Sequence, residues 1–337
     1  MHYRPKINCL IPSPSDATSL YRAVGPLSKL KHHIDCEFIF NTNISWDSIA
    51  WADILFVQRP WGDAFKKACE IAINNNIPIW VDYDDYLLDI PDYNPHRKHF
   101  SNFQEQQQMI KMLEMATCIT VSTHKLREKF LKHNENVFII PNALDDYTFK
   151  FEYNPSNKKL VNWRGSNTHS EDLRSILDKI KEVQDTKLYL DWTWNFIGKD
   201  AQNLKSKGIH HKYQSPLDPI EYFHYIKDLN PSIQLVPLID NEFNQAKSNI
   251  GWLEGIYSGA VTIAPKALKE FNIQGCLLYD NMDDFKNILS TVLSNPSHLK
   301  EFYEAGYEFV KDNLLLSTVN ILRKQVVEQI MDLKSKI

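Results

Sequence analysis

The residues of this chain best suited to chemistry lie in 243–265, FNQAKSNIGWLEGIYSGAVTIAP. Lys247, Ser248 and Asn249 open an apolar helical pattern, Glu254 follows two turns on, and Ser258-Gly259 breaks the pattern before a strand-like run. A helix start presents backbone N–H groups and a positive dipole end to phosphates, and a carboxylate further along can take ribose hydroxyls. The stretch therefore suits a nucleotide diphosphate. A lysine at a helix start is electrostatically unfavourable unless an anion offsets it. Glu254 sits among Ile250, Trp252, Leu253 and Ile256. A carboxylate buried there needs a partner, either ribose hydroxyls or a structural salt bridge.

Other candidates stand at the ends of strand-like runs. Arg164 is followed by Gly165, which permits close backbone approach, and its guanidinium can bind phosphate in a fork. Its bland alternative is pairing with Glu171 or Asp172. Lys199 follows Gly198 in the same way. The acidic turn Asp82, Asp84, Asp85 follows a buried strand. It can hold a metal, orient or deprotonate an acceptor hydroxyl, or simply cap a helix; no further ligands stand out for a metal. Arg22 and Arg59 follow early strands and can line a cleft. His169 can support the loop after Arg164, although a lone histidine is more often structural, and His96 belongs to a polar loop.

These residues need elements to position them. Apolar runs at 6–12, 36–40, 53–57, 77–81, 118–122 and 137–140 alternate with helical patterns, and the alternation restarts at 160–163 after a polar segment, 145–159. Such alternation predicts an α/β fold of parallel, doubly wound sheets. The domains expected are 1–153 and 157–317, with a last helix at about 318–337 packing back on the first domain. Two such halves face each other across a cleft at their strand C-termini. No G-x-G-x-x-G follows the first strand, which disfavours a dinucleotide-binding dehydrogenase.

With 337 residues, 43% of them hydrophobic and 24% charged, the composition is ordinary and globular. A net charge of -4 argues against non-specific coating of nucleic acid. The five cysteines form no ligand cluster and read as buried thiols. The start, MHYRPKINCL, is not a signal peptide, and no run is long enough to span a membrane, so a cytoplasmic setting is expected.

Six segments in order resemble the GT-B glycosyltransferases, specifically the large retaining family (group 1-like) that uses nucleotide-sugar donors. They are QRP at 58–60, IWVDYDDYLLDIP at 79–91, ATCITVST at 116–123, IIPNAL at 139–144, WRGSNTHSED at 163–172 and FNQAKSNIGWLE at 243–254. The DYDD, Asn94-Pro95 and WRGSNTH combination is most similar to bacteriophage-encoded members, which would place the protein in a host cytoplasm.

The resemblance implies two Rossmann-like domains, donor on the second and acceptor on the first, and transfer with retention and without a metal. UDP-sugar is the expected co-substrate, and no other cofactor is required. Arg164, Gly165, Lys199, Lys247, Ser248, Asn249 and Glu254 become donor residues, with Arg164 and Lys247 stabilising the leaving diphosphate. Asp84 and Asp85 become catalytic on the acceptor, with Arg22, Arg59, Asp82 and His96 on its side. Base recognition is expected around Tyr213-Gln214 and Pro237-Leu238.

One departure matters. The family motif has Glu, seven residues, then Glu; Glu254 is the second, and the first falls on Ala246. The sugar is therefore not transferable. The acceptor expected is a glycan or cell-envelope saccharide. The alternatives are a hydroxymethylated base of phage DNA, met by a basic face of Lys29, Lys31, Arg97, Lys98, Lys125, Arg127 and Lys129, and a binding protein that has lost catalysis.

Overall fold

The structure, a computed structural model, describes residues 3–40, 44–198 and 204–335. Its first six strands are β1 (Lys6–Ile11), β2 (Asp35–Phe40), β3 (Ile54–Gln58), β4 (Ile79–Tyr83), β5 (Cys118–Val121) and β6 (Val137–Ile139). They form one parallel sheet in the order β2-β1-β3-β4-β5-β6. The next six are β7 (Leu160–Arg164), β8 (Thr193–Ile197), β9 (Lys212–Gln214), β10 (Ile233–Leu235), β11 (Val261–Pro265) and β12 (Cys276–Tyr279). They form a second parallel sheet, β12-β11-β10-β7-β8-β9.

Strands flanked by helices on both faces are mostly apolar, and β3 and β11 are buried at every residue. The helices between them start where side chains cap them. Asn102, Thr123, Asp218 and Asn281 each accept hydrogen bonds from first-turn amides. The last helix, Leu316–Lys334, returns to the first sheet's side: the Asn320 amide donates to the Pro26 carbonyl at 2.9 Å. Lys334 reaches Asp53 at 3.2 Å, and Leu315 bridges Leu144. One apolar cluster runs from Ile7, Phe56 and Trp80 of the first half to Trp163 and Trp252 of the second.

One local expectation is corrected, and two further local features position the site. The acidic turn begins later than its composition suggests, because Asp82 and Tyr83 belong to β4 and Asp82 is buried there. Ser166 caps the short turn Asn167–His169, which leads directly into helix Ser170–Asp185. The segment before the helix Gly25–Ser28 is a π-helical turn, Leu20–Val24. A Cβ at Gly25 would lie 2.2 Å from the Leu20 carbonyl oxygen, so the widened turn needs a glycine there. That turn sets the directions of Tyr21 and Arg22.

Candidate active site

The C-terminal ends of the two sheets enclose a cleft. Helix Ile250–Ser258 points its N-terminus into it, and Gly251 packs there against Val236, where a Cβ would come within 2.9 Å. Glu254 is one turn further in and nearly buried. Arg164, at the end of β7, donates from Nε to Glu254 Oε2 at 2.7 Å. The Tyr222 hydroxyl donates to the same oxygen at 2.8 Å, and the Tyr21 hydroxyl to Oε1 at 3.1 Å. Burial opposes the Arg164 charge, but the Glu254 carboxylate outweighs it and raises the guanidinium's pKa. Burial, reinforced by the Glu254 charge, pushes both tyrosines well up, so they remain hydroxyl donors. The salt-bridge partner of Arg164 is thus Glu254 rather than Glu171 or Asp172. This leaves a cavity of about 200 Å³ with Arg164, Lys247, Ser248, Gly251 and Glu254 in its wall and Pro237 and Leu238 beside them.

Across the cleft, Arg59 holds a left-handed backbone conformation at φ 45°. Such strain in a non-glycine residue persists only where surroundings enforce it. Its Nε donates to Asp84 Oδ1 and its Nη2 to Asp85 Oδ2, at 2.5 and 2.8 Å. Lys247 reaches Asp85 Oδ1 at 3.2 Å from the other half. Burial raises the Asp85 pKa, but Lys247 and then Arg59 outweigh it and draw the carboxyl down to about 2. For Asp84 burial prevails over Arg59, with the Asp85 charge adding to it, and the pKa is raised. Adjacent carboxylates are thereby driven apart, a common device of acid–base sites.

A second cavity of about 480 Å³ adjoins the first, sharing Thr18, Arg59, Asp85, His169 and Lys247 with it. Trp61 and Phe100 wall it, edge to face at 5.4 Å, with His96 and His99 nearby. Burial, then the Arg59 charge, holds the His96 pKa down. At its floor Gln58 is buried; its Oε1 accepts from the Ser19 hydroxyl at 3.0 Å.

The sequence expectations divide accordingly. Arg164, Lys247, Ser248, Glu254, Asp84, Asp85 and Arg59 are brought together in the cleft, and His96 lines the second cavity. Arg22 and Asp82 are corrected: they form a buried pair beneath the sheet, at 2.7 and 3.0 Å, with Thr120 donating to Asp82 and Arg22 donating to the Ile140 carbonyl. A buried carboxylate in a strand needs such a cation, so this pair is architectural rather than acceptor-facing. Gly165 is required for another reason than ligand approach, because a Cβ would lie 2.5 Å from the Trp163 ring. Asn249 turns away and donates to the Glu270 carbonyl at 3.1 Å. Tyr213 and Gln214 lie on β9 and do not line either cavity, whereas Pro237 and Leu238 do. Lys199 lies outside the described residues.

Residues that sequence reasoning missed are Tyr21, Tyr222, Asn142 and Asp172. Asp172, fully buried, holds His169 Nδ1 at 2.9 Å and accepts from the Ile239 amide and the Asn244 side chain. Burial lowers the His169 pKa, partly offset by Asp172, so the ring is neutral at neutral pH. Among the described residues no group of three or more His, Cys, Asp or Glu is placed to hold a metal ion.

No family model matches the chain, and no curated protein matches it in sequence. Solved structures do match in shape. An α-glucosyltransferase in complex with UDP-glucose and DNA containing an abasic site superposes with a TM-score of 0.67 at 12% identity, covering 97% of this chain and 99% of that one. Anabaena HepE in complex with UDP and glucose gives 0.67 and 12%, covering 97% and 100%. Sucrose-phosphate synthase from Thermosynechococcus elongatus gives 0.66 and 11%, covering 98% and 100%. The chain has the GT-B fold. In that GT-B frame the two cavities sit where paired doubly wound sheets place ligands, outside the strand C-termini. Among the described residues no helix is long and apolar enough to cross a membrane.

Proposed function

We propose that this GT-B protein moves a sugar from a UDP-sugar to an acceptor hydroxyl. The observation that carries this reading is the convergence of Arg164, Lys247, the N-terminus of helix Ile250–Ser258 and Glu254 on one cavity, opposite Asp84 and Asp85. Negative charge grows on the departing diphosphate, and preorganised cations and amides lower the barrier most where such charge develops. Arg164 and Lys247 supply the cations. Glu254 fixes Arg164 and takes the ribose hydroxyls. The donor half is 157–317 and the acceptor half 1–153, and closure between them excludes water. Retention of configuration follows from the segments that resemble the retaining family. UDP-glucose bound to HepE in a structure of similar shape supports the donor class.

The acceptor reading that fits best is a glycan. The second cavity pairs apolar aromatic walls at Trp61 and Phe100 with imidazoles and Asn94, which suits the two characters of a sugar ring. A DNA acceptor is the second reading, favoured by the DNA in the α-glucosyltransferase complex. It needs a basic face, and several residues expected to form one are engaged: Lys125 and Lys129 with Glu242, Arg97 with Asp92, and Arg127 with the Val137 carbonyl. The position of the missing family carboxylate, Ala246, is fully buried against the first half, and its carbonyl accepts from Thr123 at 2.9 Å. The sugar contact made there in the family is replaced by packing.

Incubation with a panel of UDP-sugars, together with glycan acceptors and with hydroxymethylated DNA, tests the proposal. Transfer to a glycan with retained anomeric configuration supports it. Transfer to DNA alone favours the second reading, and UDP-sugar binding without turnover on any acceptor favours a protein that has lost catalysis.

A further inference from the structure

Three donor-site side chains are each held by a residue of the opposite half. Lys247 is bound by Asp85 at 3.2 Å, the Ser248 hydroxyl accepts from Asn142 Nδ2 at 2.8 Å, and Glu254 accepts from Tyr21 at 3.1 Å. They sit within the stretch 247–254, and their partners come from three separate places: the π-helical turn, the end of β4 and the segment after β6. We propose that Asp85 and Tyr21 form an interdomain latch that competes with the nucleotide diphosphate for Lys247 and Glu254, so that donor binding itself releases Asp85 towards the acceptor. This rests on the donor-site reading above.

The geometry makes the competition direct. Lys247 has a partly exposed ammonium between the two cavities, and it cannot keep a close pairing with Asp85 while it turns fully to a diphosphate. Asp85 stays on Arg59 when Lys247 leaves, so it remains placed beside the second cavity. Lys247 is the largest of the charges that depress the Asp85 carboxyl, and its departure makes that carboxylate more basic. An acceptor hydroxyl would therefore meet a competent carboxylate only after the donor has arrived. Tyr21 acts alongside: its hydroxyl occupies the Glu254 oxygen that Arg164 and Tyr222 leave to it.

Calorimetric titration with UDP, which carries the diphosphate and ribose but no sugar to contact Asp85, tests the latch on the full chain. Asp85→Asn should bind UDP about three- to tenfold more tightly than the unaltered protein, the range expected for releasing a partly exposed ion pair. Tyr21→Phe keeps the ring against Phe223 and should also tighten binding. The gain from Asp85→Asn should vanish in a Lys247→Met background. UDP binding that is unchanged or weaker in both single variants overturns the latch and leaves the donor site standing. Absence of UDP binding by the unaltered protein and by both variants overturns the donor site and the latch with it.

Discussion

The Tyr21 hydroxyl stands 3.1 Å from Glu254 Oε1, although 233 positions separate the two residues in the chain. The contact crosses the cleft, from a π-helical turn on the first half to the helix that carries the donor-side carboxylate. With Arg164 and Tyr222 on Oε2, both oxygens of Glu254 are held by named donors. A nearly buried carboxylate is stable only in such company, and its orientation is fixed before any ligand contact.

Arg164→Ala removes the only charged member of this group of donors. The remaining tyrosines keep Glu254 hydrogen-bonded, while the cavity loses the guanidinium proposed to bind phosphate. UDP affinity should fall about ten- to a hundredfold, the range for a charge-assisted hydrogen bond. Glu254→Ala should weaken UDP as well, by releasing Arg164 from its position. Calorimetry on the folded variants measures both, and unchanged affinity in either refutes the assigned site.

Sugar transfer should persist in EDTA. Asp84 and Asp85 are the carboxylates best placed to recruit a divalent ion, and both already answer to cations of this chain, Arg59 for the pair and Lys247 for Asp85. In the proposed reaction, Arg164, Lys247 and a helix N-terminus supply positive charge where the diphosphate departs. Rates in buffer, EDTA and EDTA followed by Mn²⁺ decide the matter; full loss in EDTA restored by Mn²⁺ overturns this expectation.

The parts legible in sequence were those set by local pattern. Runs such as 53–57 and 137–140 read as buried strands because a sheet covered on both faces favours apolar residues, and the two doubly wound halves follow from their alternation with helices; the GT-B arrangement was implied by the resemblance. The cluster Arg164, Lys247 and Glu254 was legible because strand ends and helix starts are where a cleft collects side chains. The partners were not. Tyr21 and Tyr222 reach the site through tertiary packing, and no local signal marks them; Asn142 lies in the IIPNAL segment, but its contact with Ser248 is likewise tertiary. Asp82 looked like a turn residue because aspartate is rare in strands; the buried Arg22, 60 positions away, and the Thr120 hydroxyl make it stable there. Asp172 read only as a possible partner of Arg164, whereas it ties His169, Ile239 and Asn244 together.

Acid should weaken the fold through Asp85. Burial raises its pKa, but Lys247 and Arg59 hold it near 2, below the ordinary value of 3.8. A carboxyl with a depressed folded-state pKa binds fewer protons folded than unfolded. Its contribution is therefore complete above about pH 4 and is lost as the pH falls towards about 2. Asp84 has the opposite sign, because burial raises its pKa and protonation relieves that penalty. Asp85→Asn removes the first contribution, so urea midpoints measured down this range should fall less steeply in the variant than in the unaltered protein. Equal slopes overturn the role of the Arg59–Asp85–Lys247 bridge in stability.

Gly198→Ala should damage the donor side without touching a charged residue. Gly198 directly follows β8 at φ 123°, a conformation alanine avoids, and an added Cβ would lie 1.7 Å from the Gly165 carbonyl oxygen. Gly165 follows Arg164, and its amide donates to the Ile197 carbonyl at 3.0 Å, so the two strand ends are tied together. Strain and collision together should cost about 3 kcal/mol or more and displace Arg164. Gly62 is the control: its φ is 77°, but nothing lies within 4 Å of an added Cβ. Gly62→Ala should cost only the left-handed penalty of about 1–2 kcal/mol and leave UDP binding alone. Thermal midpoints and UDP calorimetry on the two variants separate the cases; equal losses in both would mean that the β7–β8 loop contact does not hold the site.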